Sequence, residues 1–222
     1  VTYSIIEDEK DADLVAKNIK MNSVGLTFDV IFKNGREITD IKTPTYGFHN
    51  VSNSLVAIAI ADFLKIPDRK IKKALSIFDG VKRRFTKVGE YHGITIIDDY
   101  AHHPEEVSAT IDATKQLYPS RELLVVFQPH LFSRTKDFAN EFATSLQGAD
   151  DLILLDIYPA REKPIIGISS QMLLDLCNNP KKELCSKDEL LSVLESKHID
   201  VLLTLGAGDI GTLVQPIKHM LN

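Results

Sequence analysis

Ile94-Thr95-Ile96-Ile97-Asp98-Asp99-Tyr100-Ala101-His102-His103-Pro104 joins an unbroken apolar run to a polar cluster and then to a helix start. A short continuous apolar run fits a strand covered on both faces, as in a parallel sheet. Pro104 suits a first helical position, and Glu105 and Glu106 suit the first turn, where the helix dipole favours acids.

Three more runs of the same kind follow, at Leu123–Phe127, Leu152–Leu155 and Val201–Leu205, with helical stretches between them. One helix is expected from Thr135 to Leu146 with Arg134 at its entry, and Ser186 to Glu189 reads as a capping box for another. This is the βαβ rhythm of a doubly wound, mainly parallel α/β sheet. Upstream the texture differs. Apolar residues alternate at Val24, Leu26, Phe28, Val30 and Phe32. Asn34-Gly35 supplies positive φ angles for a tight hairpin, and Glu37–Ile41 returns as the antiparallel partner. Helices are expected from Asn50 to Leu64, with Leu55, Ile58, Ala59 and Phe63 at helical spacing, and from Asp68 to Phe78, stopped by Asp79-Gly80. The change of pattern, from hairpin plus helices to a doubly wound sheet, places a domain boundary near Lys82 to Phe85, giving an α+β part over 1–82 and a doubly wound α/β part over 83–222.

The 222 residues carry 44% hydrophobic side chains, enough for ordinary cores without disulfides or metals. Lys and Arg number 26 against 31 Asp and Glu, a net charge of −5 with no basic block to track a phosphate backbone, which argues against a nucleic-acid partner. Cys177 and Cys185 lie in a polar stretch without metal-ligand spacing, which fits a reducing, cytoplasmic setting. No apolar run approaches the roughly 18 residues of a membrane helix, so no membrane partner is expected. The chain begins at Val1 without an initiator Met, which suggests that the natural protein starts upstream.

Open parallel sheets bind ligands beyond the carboxyl ends of their strands. Those positions are polar here: Asp98 to His103 after the first run, Gln128-Pro129-His130 with Arg134 after the second, and Gly206-Ala207-Gly208-Asp209 after the last. Asp98-Asp99 could be a capping turn alone, yet two acids, a tyrosine and two histidines in one loop suit a ribose, an amine or a metal phosphate. His103 is accounted for as the residue before Pro104, whereas His102 keeps a site reading. Arg134 could fork onto a carboxylate or phosphate. Gly206 to Gly211 spells GxGxxG, but only 11 residues follow it, too few for the acid about 20 residues on that a dinucleotide site needs. Arg83-Arg84 reads equally as an exposed pair or as a phosphate contact. Asn50 could cap its helix, and Asn53 has no local reason to stand one turn in.

Taken together, Gly47–Asn53, Gly80–Phe85, Asp98–Pro104, Phe127–Thr135, Tyr158–Glu162 and Gly206–Asp209 resemble the motifs of the Mur ligase family, in its order and over nearly the whole chain. The Asp-Asp-Tyr-Ala-His-His-Pro and Phe-Gln-Pro-His segments are most similar to the alanine-adding branch. The branch that recycles a tripeptide resembles the first segment and differs at the second. The resemblance implies the tail end of a central ATP-binding domain over 1–82 and a complete C-terminal Rossmann-like domain over 83–222. It implies a reaction of peptidoglycan precursor synthesis in which ATP, with Mg²⁺, phosphorylates the lactyl carboxylate of UDP-N-acetylmuramate and the amine of L-alanine displaces phosphate. By motif, Asn53 would contact adenine, Arg84 and Asp99 would hold the nucleotide, and Tyr100, His102, His130 and Arg134 would surround the amino acid, with His102 and His130 catalytic. Some members carry a second arginine directly after the histidine of Gln-Pro-His, where this chain has Leu131. No GxxxxGK[ST] phosphate loop occurs in the sequence, so the missing N-terminal and central segments would be partners and this chain alone is expected to be inactive. A non-catalytic nucleotide-binding module is the competing reading.

Overall fold

The computed structural model describes residues 1–6, 11–22, 24–78 and 80–222. They form two compact units, Val1–Gly80 and Val81–Asn222.

In the first unit, β1 (Tyr3–Ser4), β2 (Leu14–Asn22), β3 (Gly25–Phe32) and β4 (Glu37–Thr43) form one sheet in that order, antiparallel except that β1 runs parallel to β2. Leu26, Phe28, Val30 and Phe32 all point inward, as the two-residue period requires. Helices α1 (Phe48–Phe63) and α2 (Asp68–Ser76) lay Val51, Leu55, Ile58 and Ile71 onto that face. Several sequence expectations need correction. Val24 precedes the strand and is 77% exposed, and Phe63, at the end of α1, is 84% exposed. Only Gly35 of the hairpin has a positive φ, and Phe32 accepts from the Gly35 N–H at 2.8 Å and donates to the Arg36 carbonyl at 2.9 Å. That is a three-residue loop closed by a left-handed glycine rather than a two-residue turn. Helix α1 starts before Asn50, at Phe48 behind Gly47, so Asn50 is no cap; its side-chain amide donates to the Tyr46 carbonyl at 2.6 Å. Helix α2 ends at Ser76, and the expected stop at Asp79 lies outside the described residues.

The second unit runs β5 (Thr86–Tyr91), β6 (Ile94–Asp99), α3 (Pro104–Leu117), β7 (Leu123–Phe127), α4 (Phe132–Asp137), α5 (Ala139–Leu146), β8 (Asp151–Leu154), α6 (Ser170–Leu176), β9 (Lys181–Leu184), α7 (Leu190–Glu195), β10 (Val201–Leu205) and α8 (Val214–Met220). The sheet order is β5-β6-β10-β7-β8-β9, parallel throughout except for the antiparallel edge β5. Every residue of β7 and β10 is buried, which is why their sequences are apolar without alternation. Leu124, Val126 and Leu202 pack with Leu190 and Leu194 of α7 and Ile217 of α8 on one face. The alternate residue Phe127 turns to the other face and meets Phe142 of α5, ring centroids 5.4 Å apart.

The edge strands β5 and β9 escaped the sequence reading because Thr-Lys-Val-Gly-Glu-Tyr and Lys-Lys-Glu-Leu carry too few apolar residues to register. The expected helix from Thr135 to Leu146 is two helices, broken at Phe138 (φ −121°), and Arg134 lies inside α4 rather than at a helix entry. Ser186 and Glu189 do exchange the hydrogen bonds of a capping box, but around a turn that precedes α7 by one residue. Both cysteines are free and buried despite their polar neighbours in sequence. No helix among the described residues is long and apolar enough to cross a membrane.

Candidate functional site

The strand order brings the carboxyl ends of β6, β10 and β7 side by side, with Leu205 opposite both Asp99 and Phe127. The loops that follow are therefore neighbours although far apart in sequence. Gly206 donates its N–H to the Asp99 carbonyl at 3.2 Å, and Gln128 donates to the Leu205 carbonyl at 2.9 Å. Gly206 holds φ +144°, and a Cβ there would stand 2.7 Å from the Gln128 carbonyl, so only glycine fits. The GxGxxG run thus serves chain crossing: its second half forms a 3₁₀ turn (Asp209–Thr212), not the start of a long helix facing an anion.

The two arginines separate. Arg83 is drawn inward; its Nε donates to Asp98 at 3.0 Å and its Nη2 to the Gly206 carbonyl at 2.6 Å. Asp98 also accepts from the Thr204 hydroxyl at 2.8 Å. Arg84 points outward with its side chain 48% exposed, 3.7 Å from Glu106 and over the Tyr100 ring at 5.7 Å.

Asp99 is 3% exposed and gives one carboxylate oxygen to the Phe85 N–H at 2.5 Å and the other to the Ala101 N–H at 2.6 Å. Burial pushes its carboxyl up to about 6, against the pull of those two N–H groups and of Arg84. This residue, expected to hold a nucleotide, ties the backbone ahead of β5 to the backbone just past β6.

Past Asp99 the side chains form an aromatic file. Tyr100 and His102 meet edge to face at 5.3 Å, His102 and His130 at 5.9 Å, and His130 stacks on Tyr158 at 5.7 Å. His103 stands at the N-cap of α3 and packs on Phe138 at 4.9 Å, in keeping with its structural reading. Glu106 reaches back to accept the N–H groups of His102 (3.0 Å) and His103 (3.3 Å). Burial would raise its carboxyl, but those hydrogen bonds and the nearby His102 and Arg84 hold it below the ordinary range.

His130 is positioned by a parallel bridge to Tyr158, with Leu131 donating to the Tyr158 carbonyl at 2.9 Å and Tyr158 to the Pro129 carbonyl at 2.8 Å. Leu131 carries φ +71°, an uncommon angle for a branched side chain, at the position where some family members have arginine. Burial, then Arg134 and His102, push the His130 imidazole below its ordinary value, so it stays neutral near neutral pH. Among the described residues, His130 Nδ1 and Arg134 Nη1 are buried polar atoms with no hydrogen-bond partner. Leaving such atoms unpaired is costly, so they mark a place shaped for a polar ligand. Glu162 fixes the start of α4 by accepting from the Ser133 hydroxyl (2.5 Å) and N–H (2.9 Å), which hold its carboxyl below the ordinary range.

Beside this file, Gln128 donates to Asp209 at 2.7 Å and accepts from the Ile210 N–H at 2.9 Å, while Lys187 pairs with Asp209 at 2.6 Å. Gln128, Tyr158, Lys187 and Asp209 line a cavity of about 200 Å³. Asn53 belongs to the first unit, where it is exposed on α1 and its amide donates to the Asn50 side chain at 3.4 Å. Sequence reasoning assigned no site role to Glu106, Tyr158 or Glu162; the i, i+4 spacing of His102 and Glu106 was the available signal for the first.

Residues 83–208 match the family model described as "Mur ligase, glutamate ligase domain", and residues 1–61 match the "Mur ligase middle domain". The chain belongs to the Mur ligase family. A UDP-N-acetylmuramate–L-alanine ligase of Flavobacterium psychrophilum is 49% identical to this Mur ligase chain over 213 residues, covering 96% of the chain and 47% of that protein. Its counterpart from Parabacteroides distasonis is 43% identical over 220 residues, covering 99% and 47%. Among solved structures, the UDP-N-acetylmuramate–alanine ligase of Thermotoga maritima superposes with a TM-score of 0.80 at 27% identity, over 99% of this chain and 47% of that one. A murein peptide ligase of Psychrobacter arcticus gives 0.67 at 25% identity, over 99% and 46%. The Mur ligase chain thus spans about half the length of the curated relatives it matches.

Proposed function

We propose that this chain supplies the amino-acid-binding side of an ATP-dependent ligase that joins L-alanine to the lactyl carboxylate of UDP-N-acetylmuramate, in the cytoplasmic synthesis of a peptidoglycan precursor. The observation that carries the reading is the pair of buried, unpartnered nitrogens on His130 and Arg134 beside His102, supported by relatives of that name at up to 49% identity. The Arg134 guanidinium takes the alanine carboxylate, a charge-assisted contact that Leu131 leaves to a single arginine. Tyr100 and His130 wall the small side chain. His102 faces the amine. ATP supplies the leaving group, since a free carboxylate is a poor electrophile and an acyl phosphate a good one. Arg84, exposed over Tyr100, and Asn53, exposed on α1, are the side chains offered to the nucleotide. Asp99 acts at one remove, by setting the backbone that carries Arg84 and Tyr100.

Mg²⁺ belongs to this reading through the phosphates, but no group of three or more His, Cys, Asp or Glu able to hold a metal occurs among the described residues. No residue of this chain is therefore assigned to Mg²⁺.

The test is phosphate release in a longer protein that joins this chain to a phosphate-loop segment. Release should require ATP, UDP-N-acetylmuramate and L-alanine together, and the 222 residues alone should release none at an enzymatic rate. Equal turnover with a tripeptide in place of L-alanine would move the protein to the recycling branch. Turnover by the 222 residues alone would overturn the division of labour.

A further inference from the structure

We infer that Glu106 is a positioning residue which, with the Tyr100 carbonyl, fixes His102 in the tautomer protonated on Nδ1 and leaves Nε2 as the unprotonated face of the ring. His102 Nδ1 lies 3.0 Å from the Tyr100 carbonyl oxygen and 3.2 Å from Glu106 Oε2. Neither oxygen can donate: a carbonyl has no proton, and the Glu106 carboxyl is held ionised by the N–H groups it accepts. Nδ1 must therefore be the donor, and in a neutral imidazole Nε2 is then the acceptor. Among the described residues Nε2 takes no hydrogen bond, and the ring lies 5.9 Å from that of His130, centroid to centroid and nearly perpendicular.

Glu106 is itself fixed. It accepts the N–H groups of His102 and His103 at the start of α3, so its carboxylate is tied to the backbone that carries the ring it orients. Arg84 stands 3.7 Å from its other oxygen, which links the orientation of His102 to the residue offered to the nucleotide.

The use of this arrangement rests on the proposed function. A neutral amine nitrogen that attacks an acyl phosphate gains positive charge and must shed a proton. That proton passes to Nε2 as the new C–N bond forms and the C–O bond breaks, phosphate leaving with the bonding pair. The resulting imidazolium sits against the Glu106 carboxylate, a partner placed before the charge develops.

The tautomer is read directly by ¹⁵N NMR of the 222-residue chain labelled at histidine, at a pH above the imidazole titration. The expected spectrum shows His102 Nδ1 as the protonated nitrogen and Nε2 as the unprotonated one. Glu106→Gln keeps an oxygen for the backbone N–H groups but removes the charge, and it should raise the Nε2-protonated fraction roughly tenfold, the scale of one carboxylate charge in close contact with the ring. A wild-type His102 protonated on Nε2 would overturn the inference, and so would a tautomer ratio unchanged by Glu106→Gln. If that variant loses the wild-type amide spectrum, Glu106→Asp, which withdraws the carboxylate by one methylene, must show the same rise. The functional reading fails separately: full phosphate release by a His102→Gln form of the longer protein would remove His102 from the chemistry while leaving the tautomer result in place.

Discussion

Asp99 and Phe85 are joined by a 2.5 Å hydrogen bond from the Phe85 N–H to the carboxylate, and Phe85 holds a left-handed backbone with φ +51°. A buried side chain thus stabilises an uncommon backbone angle in the segment that carries Arg83 and Arg84. The second oxygen of Asp99 accepts from the Ala101 N–H, 2.6 Å away in the loop that follows β6. One carboxylate aligns the chain before β5 with the loop after β6.

Asp99→Asn tests that brace. The amide offers one acceptor where two N–H groups converge and turns an NH₂ against the other, so a loss of about 1–3 kcal/mol is expected. Urea unfolding followed by circular dichroism measures it, and a variant as stable as wild type would show that the brace is dispensable.

The pH dependence of the same pair has a definite sign. Because the folded carboxyl is raised from 3.8 to about 6, the folded chain binds this proton more tightly than the unfolded one. The contribution of Asp99 is fully present below its unfolded value and is lost as pH rises through about 6. Carboxyls held low, such as Glu106 and Asp209, work in the opposite direction, with stability lost as pH falls. Subtracting the Asp99→Asn stability profile from wild type isolates the first effect: the difference should fall across that window, by on the order of 2–3 kcal/mol. A flat difference would place the Asp99 titration at its ordinary value.

Arg83 and Arg84 are adjacent and should behave differently. Arg83→Ala leaves the Asp98 carboxylate, its side chain 5% exposed, without its cation and should cost about 3–5 kcal/mol. Arg84→Ala removes a guanidinium that is 48% exposed and should change stability by less than about 0.5 kcal/mol, while raising KM for ATP in the longer protein. Comparable unfolding midpoints for the two variants would contradict this division.

Arg134→Ala in the longer protein should weaken use of L-alanine far more than use of ATP, because the partner that the Arg134 guanidinium lacks among the described residues is supplied by the amino acid. A charge-assisted contact of this kind corresponds to roughly 10–100-fold in KM for the amino acid. Steady-state kinetics with each substrate varied in turn decides it, and equal losses for both would take Arg134 out of the amino-acid site.

Cys177 is 1% exposed and Cys185 is 7% exposed, and burial pushes both thiols up to about 11. At about pH 8 only around one thiol in a thousand is then ionised. Alkylation by iodoacetamide, followed by mass spectrometry, should proceed only as fast as the chain opens and should accelerate in urea. Rapid labelling of the folded chain would show an accessible thiolate.

What the sequence decided alone follows from burial. Strands covered on both faces are apolar nearly throughout, so Ile94–Ile97, Leu123–Phe127, Leu152–Leu155 and Val201–Leu205 could be read without a partner in view. The polar residues after three of these runs were legible for the same reason, since a run ends where cover ends. Tertiary structure decided what depends on neighbours distant in the chain. Inserting β10 between β6 and β7 set Gly206 against Asp99 and Gln128, drew Arg83 inward and left Arg84 outside. No local pattern separates two adjacent arginines. The polar edge strands β5 and β9 are strands because the sheet supplies their hydrogen-bond partners, and Glu106 becomes a histidine's anchor because the loop folds back over the start of α3. Propensity acts within a few residues; pairing and burial act across the whole fold.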